Sequence, residues 1–471
     1  MSFIGIRIII DTIISIWRMT MNIIIVGCGK VGTTLAEQLN QENHNITLID
    51  KNAKRLKDVA NACDALGIHG NGASFSTLQE AGVETADLLI AVTDSDEQNL
   101  LCCVVAKQAG NCHTVARVRN PIYDKERDFL RKELGLSMLI NPEFTTACGI
   151  AKLLQITNAK EVDSFGKGRV DLIKMRIKEE SPLDGMEVKD IYQKLKCQIL
   201  VCSVERNDQV FIPDGRYSLM AGDDISFIGK NESIYRFMKK IGERSSKIRK
   251  VLIVGGSILT YYLVKRIENT GFEVTIIEQN MERCNELSVM LPNAIVINGD
   301  GTDKETLIEA GLEGADVFIP LTNFDEENIM LALYSKSVSA AKTITKVSRL
   351  NFEEVIDELA IDNVIYPKNL TADHILSYTR AMANSLNSSV EALYRLDNNR
   401  VEAIEFAIND HCMLIGKPLK ELHFKENLLI AAIIRSGRFI IPGGEDYMQQ
   451  GDSVIVVTTV KGLEDISEIL A

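Results

Sequence analysis

A chain of 471 residues that repeats itself at a nearly fixed distance is built from copies of one unit. Thr77–Asp87 reads TLQEAGVETAD and Thr306–Asp316 reads TLIEAGLEGAD, 229 positions apart with eight of eleven residues identical. Asp96-Glu97-x-Asn99 returns as Asp325-Glu326-x-Asn328. Upstream, Ile25-Val26-Gly27 returns as Ile253-Val254-Gly255, so that Asp50 falls on Glu278. Further along, Ile212-Pro213-x-Gly215 and Gly222-Asp223 return as Ile441-Pro442-x-Gly444 and Gly451-Asp452. Internal repetition over most of the length fixes the organisation before any single element is assigned. The order is A–B–A′–B′, two modules per half.

Each A module alternates strand and helix. Asn22–Val26 and Asn45–Asp50 read as strands around a helical pattern through Leu35 and Leu39. Leu88–Thr93 and Thr114–Val118 follow as further strands. Strands separated by helical stretches of about 10–15 residues predict βαβ units and a parallel sheet. The unbroken apolar run Leu88–Val92 suits a strand covered on both faces. The B modules differ. Arg169–Lys178 alternates, Ile199–Glu205 and Ile225–Gly229 are short strands, and Ile234–Ile241 reads as a helix. The fold class is therefore α/β: two Rossmann-like domains with parallel sheets, each followed by a small α+β domain. The expected boundaries are 21–142, 143–245, 249–367 and 368–471, with the charged stretch Gly242–Lys250 joining the halves.

Charge excludes one class of partner. Asp and Glu outnumber Lys and Arg by 65 to 52, a poor surface for binding nucleic acid through its phosphates. Ten cysteines include no C-x-x-C pair and none at metal-ligand spacing to a histidine, so no metal site is expected. They read as reduced, mostly buried thiols. Residues 1–20 form an N-terminal extension. Within it Phe3–Trp17 is apolar but carries Arg7 and Asp11. It is shorter than the ~20 residues of a membrane span, and a signal peptide's apolar core would lack those charges. The segment reads as a start-site artefact or a short amphipathic extension, with folding beginning near Met21. No other stretch could cross a bilayer.

The chemistry lies in the turn after the first strand. Gly27-x-Gly29-x-x-Gly32 follows a strand and opens a helix, and Asp50 stands 18 residues beyond Gly32. In that context the glycines form a dinucleotide-binding fingerprint. Gly27 permits the tight turn, Gly29 lets a pyrophosphate approach the backbone, and Gly32 lets the helix pack on the sheet. The helix N-terminus offers N–H groups and a positive dipole end to phosphate. Lys30, inside the turn, is either a cation near phosphate or a solvent-exposed bystander. Asp50 suits the ribose hydroxyls and would repel a 2′-phosphate, favouring NAD(H) over NADP(H). ADP or ATP fits the same features. In the second half the turn reads Gly255-Gly256-Ser257-Ile258-Leu259-Thr260. Ser257 and Thr260 add side chains where backbone approach and helix packing want none, so a weakened or empty site is expected beside Glu278.

These motifs resemble the RCK (regulator of potassium conductance) domains of the TrkA family, cytosolic regulators of bacterial and archaeal Trk potassium uptake. The resemblance rests on IIIVGCGKVG, the GNGAS/GDGTD pair, LQEAGVETADLLIAVTDSDEQN, VARVR and Asn141-Pro142-Glu143, together with the duplication, and it spans residues 21–471. It implies RCK N and RCK C domains in tandem. It implies that Gly27, Cys28, Gly29, Lys30, Val31 and Gly32 contact nucleotide phosphates and Asp50 the ribose. Thr93, Asp94 and Arg117 would line the pocket nearby. The second-half equivalents are Gly255, Gly256, Ser257, Glu278, Thr322 and Asn323. Asn71, where the second half has Asp300, departs from the family pattern. The implied protein is not an enzyme. It is a homo-oligomeric ring binding NAD(H) or an adenine nucleotide, peripheral at the cytoplasmic face of the cell membrane. It gates a separate potassium-translocating Trk subunit.

The alternative is an NAD-dependent dehydrogenase, which needs an acid/base pair facing the nicotinamide. No His–Asp or Lys–Tyr pair stands out, and duplication with a degraded second turn suits a sensor better than a catalyst. Asp96, Glu97 and Asn99 read as capping and first-turn charge for the helix that follows.

Overall fold

The computed structural model describes residues 20–156, 158–243, 248–349, 355–356, 358–359, 361–383, 388–397 and 399–471. Residues 1–19 and 244–247 lie outside them, and with them the reading of Phe3–Trp17 and the middle of the linker.

The first A module is a six-stranded parallel sheet in the order β3-β2-β1-β4-β5-β6. Its strands are β1 (Asn22–Val26), β2 (Asn45–Asp50), β3 (Leu66–His69), β4 (Leu88–Ala91), β5 (His113–Arg117) and β6 (Met138–Ile140). Every residue of β4 is buried, as the continuous apolar run predicts. Helix Lys30–Gln41 follows β1 and buries Leu35, Ala36 and Leu39 completely. At roughly 1.5–3 kcal/mol per buried leucine, those two leucines alone are a substantial anchor for the helix. The repeated Ala-Asp pair has a role here too. Asp87 Oδ2 accepts from the Asn22 amide at 2.8 Å, and Asp316 Oδ2 accepts from Arg249 and Lys250 at 2.8 and 2.9 Å. Each aspartate thus fixes the start of the central strand of its sheet.

The second A module repeats the topology as β14-β13-β12-β15-β16-β17, again all parallel. These are β12 (Lys250–Val254), β13 (Glu273–Glu278), β14 (Ile295–Asn298), β15 (Val317–Pro320), β16 (Lys342–Lys346) and β17 (Asn363–Ile365). In both sheets the first strand pairs with the second on one side and the fourth on the other, so a switch point opens at its carboxyl end.

The B modules are antiparallel and match each other strand for strand, β10-β9-β11-β8-β7 and β21-β20-β22-β19-β18. The first comprises β7 (Glu161–Phe165), β8 (Val170–Arg176), β9 (Ile199–Arg206), β10 (Gln209–Phe211) and β11 (Asp224–Gly229). The second comprises β18 (Ser388–Leu396), β19 (Val401–Ile408), β20 (Leu428–Arg435), β21 (Arg438–Ile440) and β22 (Ser453–Thr458). The repeated Gly-Asp pair sets an exposed turn at the glycine and a buried anchor at the aspartate. Gly222 and Gly451 take φ of 91° and 80°, which favours glycine. Asp223 then accepts both Nε and Nη2 of Arg206 at 2.7 Å, and Asp452 accepts the same fork from Arg435 at 2.9 and 2.8 Å. Such bidentate pairs fix geometry as well as charge.

By spatial contact the chain forms two compact units that do not follow sequence order. One holds the described part of Met1–Val118, Lys125–Ile140 and Ala372–Ala471; the other holds Arg119–Asp124 and Asn141–Thr371. In the first unit, Leu35, Leu39 and Ile23 share a core with Ile375, Leu376, Ile404 and Phe406. In the second, Ala147, Ile150 and Leu154 share a core with Tyr262, Leu263 and Ile319. Each unit therefore combines one parallel sheet with the antiparallel sheet of the other half. All ten cysteines are free and nine are buried.

Candidate nucleotide site

The first glycine turn sits at the switch point of its sheet. Gly27 has φ 104°, and a Cβ there would stand 3.0–3.1 Å from the backbone of Val92 and Thr93. At Gly32 a Cβ would lie 1.9 Å from the Gly27 carbonyl oxygen, so only glycine lets the helix start this close to the strand. Gly29 differs from both. Its φ is −73°, and nothing lies within 4 Å of where its Cβ would be. Gly29 is the N-cap of helix Lys30–Gln41, and no side chain caps that terminus. The open space lies beside a helix N-terminus, where N–H groups and the dipole favour an anion. Lys30 is exposed at the first helical position, and Val31 is buried beneath it.

Asp50, at the end of β2, closes the turn from the other side. Its Oδ2 accepts from the Cys28 amide and its Oδ1 from the Asn52 amide, both at 2.7 Å. An ionised carboxylate has about four acceptor positions, so these bonds leave capacity for hydroxyl donors. Burial, and then the Asp50 charge, pushes the Cys28 thiol up to about 12. Cys28 is therefore an apolar filler of the turn and not a nucleophile.

The third wall is set by a residue to which the sequence reading gave a different task. Asn99 is fully buried. Its Oδ1 accepts from Thr93 N at 2.8 Å and Thr93 Oγ1 at 2.7 Å, while its Nδ2 donates to the carbonyls of Thr93 and Arg117 at 3.1 and 2.9 Å. Asn99 thus ties the ends of β4 and β5 together. Arg117 Nη2 also donates to the Thr93 carbonyl, at 2.5 Å, and stands 3.6 Å from Asp94, whose side chain is fully in solvent. The cap of helix Asp96–Gly110 is Ser95, which accepts from Gln98 N at 3.1 Å. The acids occupy the first turn as expected, but the capping role falls to Ser95 and Asn99 serves as a strut. The repeat of Asn99 at Asn328 carried that signal. Asn328 makes the same bonds to Thr322 and to the Lys346 carbonyl.

The second turn has the same path and different chemistry. Gly255 has φ 101°. Glu278 Oε2 accepts from Gly256 N at 2.6 Å and Oε1 from Asn280 N at 2.8 Å, reproducing the bonds of Asp50. A Cβ on Gly256 would come 2.5 Å from Leu287 Cδ1 and 2.8 Å from Glu278 Oε2, so glycine here makes room for the leucine and for the longer acid. Cys28 with Asp50 and Gly256 with Glu278 are two solutions to one volume. Thr260, fully buried, donates its hydroxyl to the Gly255 carbonyl at 2.5 Å, so the extra side chain is bonded where a clash was expected. Ser257 caps its own helix by accepting from Thr260 N. Arg283 Nε donates to the Gly256 carbonyl at 2.7 Å, a cation across the turn that the sequence reading missed. The second turn is thus closed by Ser257 and Thr260 from within and by Arg283 from the helix Met281–Met290. Thr260→Val should lower the unfolding free energy of the second unit by about 1 kcal/mol, the usual worth of one such bond, as denaturant titration can measure. An unchanged midpoint would show the Thr260 bond to be idle.

Near both turns the Asn71/Asp300 difference is conservative. Asn71 Oδ1 accepts from Ala73 N at 3.2 Å, and Asp300 Oδ1 from Thr302 N at 2.9 Å. Bonds from Thr302 hold the Asp300 carboxyl below its usual range. Thr322 is placed like Thr93, next to Asn323.

A parallel sheet with this turn at its switch point defines a Rossmann-type domain, present here in two copies, of which the first has the open helix N-terminus. The TrkA-N domain family model matches residues 23–142 and 251–367, and the TrkA-C domain model matches 172–242 and 403–471. The chain belongs to the TrkA family. A Trk system potassium uptake protein TrkA homolog of Methanosarcina mazei is 31% identical over 456 residues, covering 95% of this chain and 99% of that protein. The Trk system potassium uptake protein TrkA of Vibrio alginolyticus is 32% identical over 440 residues, covering 93% and 95%. Among solved structures, the GsuK RCK domain superposes with a TM-score of 0.60 at 16% identity, covering 92% of this chain and 91% of that one. The GsuK channel bound to NAD gives 0.61 at 17% identity, over 93% and 76%. At those identities the likeness is one of fold.

Proposed function

We propose that this chain is the nucleotide-sensing regulator of a Trk-type potassium uptake system. The observation that carries the reading is the contrast between the turns: the first is open at Gly29 and uncapped, the second closed by Ser257, Thr260 and Arg283. NAD(H), or ADP or ATP, binds the first half. The backbone N–H groups of the turn from Gly27 to Gly32 receive the phosphates, and Lys30 adds a cation at the same helix end. Asp50 receives ribose hydroxyls with its spare acceptor positions, while Thr93 and Arg117, held by Asn99, form the far wall. The second turn, with Gly255, Gly256, Ser257, Glu278, Thr322 and Asn323, binds weakly or not at all.

No described helix is long and apolar enough to cross a membrane, so ion passage belongs to a partner. Because the relatives are named for a Trk potassium uptake system, we take that partner to be the system's membrane subunit. The chain acts at the cytoplasmic face of the membrane as a homo-oligomer and does no catalysis. Bound nucleotide biases the membrane gate only through its different affinity for two arrangements of the regulator, typically ~1–3 kcal/mol of coupling.

The test is a titration of NADH, NAD, ADP and ATP against the full chain and Asp50→Ala, paired with potassium uptake in cells lacking their own Trk regulator. Wild type is expected to bind at least one nucleotide about tenfold or more tighter than Asp50→Ala, one tenfold step being ~1.4 kcal/mol of ribose contact. It should also restore uptake. No nucleotide binding would overturn the site, no restored uptake the role, and steady NADH oxidation with a substrate the non-enzymatic reading.

A further inference from the structure

Because the fold occurs twice, each long helix that follows a parallel sheet has two Rossmann-like domains on which it could dock. Helix Pro367–Ala383 comes directly after β17 of the second sheet, which gives that sheet the higher effective concentration. Yet residues Ala372–Ala471 belong to the unit built on β1–β6. Something must outweigh connectivity.

The first unit holds a buried ion network that the described residues of the second do not repeat. Arg380, on that helix, is 1% exposed. Its Nε and Nη2 donate to Glu42 Oε1 at 3.1 and 2.6 Å, and its Nη1 and Nη2 to the two oxygens of Glu402 at 3.0 Å. Glu42 directly follows the glycine-turn helix, and Glu402 lies in β19. Arg395 of β18 stands 3.7 Å from Glu42 and 3.6 Å from Asp373. Burial pushes the Asp373 carboxyl up to about 7.

The equivalent positions can be read from shared contacts. Thr146 and Thr371 each bond the carbonyl of the proline that opens their helix, which aligns Pro142 with Pro367 and Gln155 with Arg380. Arg395 is the cross-strand neighbour of Glu402 as Ser164 is of Asp171. Glu42 falls on Thr270 at the spacing of the glycine turns. The second unit therefore has Thr270, Gln155, Ser164 and Asp171 where the first has Glu42, Arg380, Arg395 and Glu402. Ser164 donates to Asp171, and Gln155 is exposed. Docked on the second domain, Arg380 would lose Glu42 and face a threonine. Docked on the first, the Gln155 helix would leave Glu42 without its cation. Arg380 would keep only Glu402 of its two carboxylates and Glu42 would lose its guanidinium, and an under-compensated buried charge is unfavourable, so both wrong pairings are penalised.

The geometry points to Glu42, Arg380 and Glu402 as the pairing key that assigns helix Pro367–Ala383 and its antiparallel sheet to the first nucleotide domain of the same chain. The partner surface is the carboxyl end of helix Lys30–Gln41, and the recognised group is a guanidinium. The assignment is independent of any ligand.

The test uses the full chain with a photoreactive benzoylphenylalanine in place of Tyr378, a partly buried residue of the same helix 3.1 Å from His113. After irradiation and digestion, wild type should label peptides of residues 20–140. The exchange variant Glu42→Thr with Thr270→Glu moves the carboxylate to the second domain. It should shift the ratio of first-half to second-half label at least tenfold toward residues 249–371. The single change Thr270→Glu, at an exposed position, should raise second-half label severalfold. Label that stays on residues 20–140 in both variants overturns the proposal, even if the melting temperature falls. Label found chiefly on a second copy overturns the assignment to one chain.

Discussion

Gly29→Asp is expected to weaken nucleotide binding about a hundredfold or more, roughly 3 kcal/mol, from one carboxylate placed against phosphate at a helix N-terminus. The fold should not notice. The backbone there is ordinary, with φ −73°, and the new Cβ meets nothing within 4 Å. An aspartate at an N-cap even satisfies a helix N–H, so the melting temperature should hold or rise slightly. Calorimetric titration beside thermal unfolding separates the two outcomes. Unchanged affinity would place the ligand elsewhere, and a collapse in stability would mean that the space at Gly29 is filled. The neighbouring glycine is the internal contrast, since at Gly32 any side chain must displace the Gly27 carbonyl 1.9 Å away.

Asn99→Ala should cost the first unit about 3 kcal/mol, because it strips partners from several buried backbone and hydroxyl groups at once. Nucleotide affinity should fall with it, since Thr93 and Arg117 lose the strut that sets the far wall. Asn328→Ala removes the matching bonds in the second unit and should cost similar stability while leaving affinity unchanged. Denaturant titration of both variants, followed by binding measurements on the folded fraction, checks the pair. A loss below about 1 kcal/mol in Asn99→Ala would reduce the residue to an ordinary helix position.

Much of this architecture could be read from the residues because its signals are local. Apolar runs mark the parallel strands, and Leu88–Ala91 ends two residues short of the expected Thr93 because Thr93 turns to bond Asn99. The glycine turns announce the switch points. The roles that escaped depend on partners distant in sequence. Asn99 acts on a carbonyl 18 residues away, and its place beside Asp96 and Glu97 made capping the natural local reading. Thr260 looked like damage to the turn, and the compensation is a hydroxyl bond visible only in three dimensions. Arg283 completes the second turn from another helix altogether. The crossing of the halves left no local trace, since nothing in Arg380 itself names Glu42, 338 positions earlier, as its partner.

The crossing also dictates an order of events on the ribosome. The second unit is nearly contiguous, so it can complete itself once residue 371 has emerged. The first cannot. Its parallel sheet is synthesised early and must wait for Ala372–Ala471 to cover Leu35, Leu39 and Ile23. At roughly 5–20 residues per second, the 231 residues from Asn141 to Thr371 impose a delay of about 10–50 s. Through that interval the nucleotide domain stands with its apolar helix face bare, a natural client for a chaperone at the exit tunnel. Slow codons upstream of residue 372 would lengthen that exposure without altering a single residue of the product.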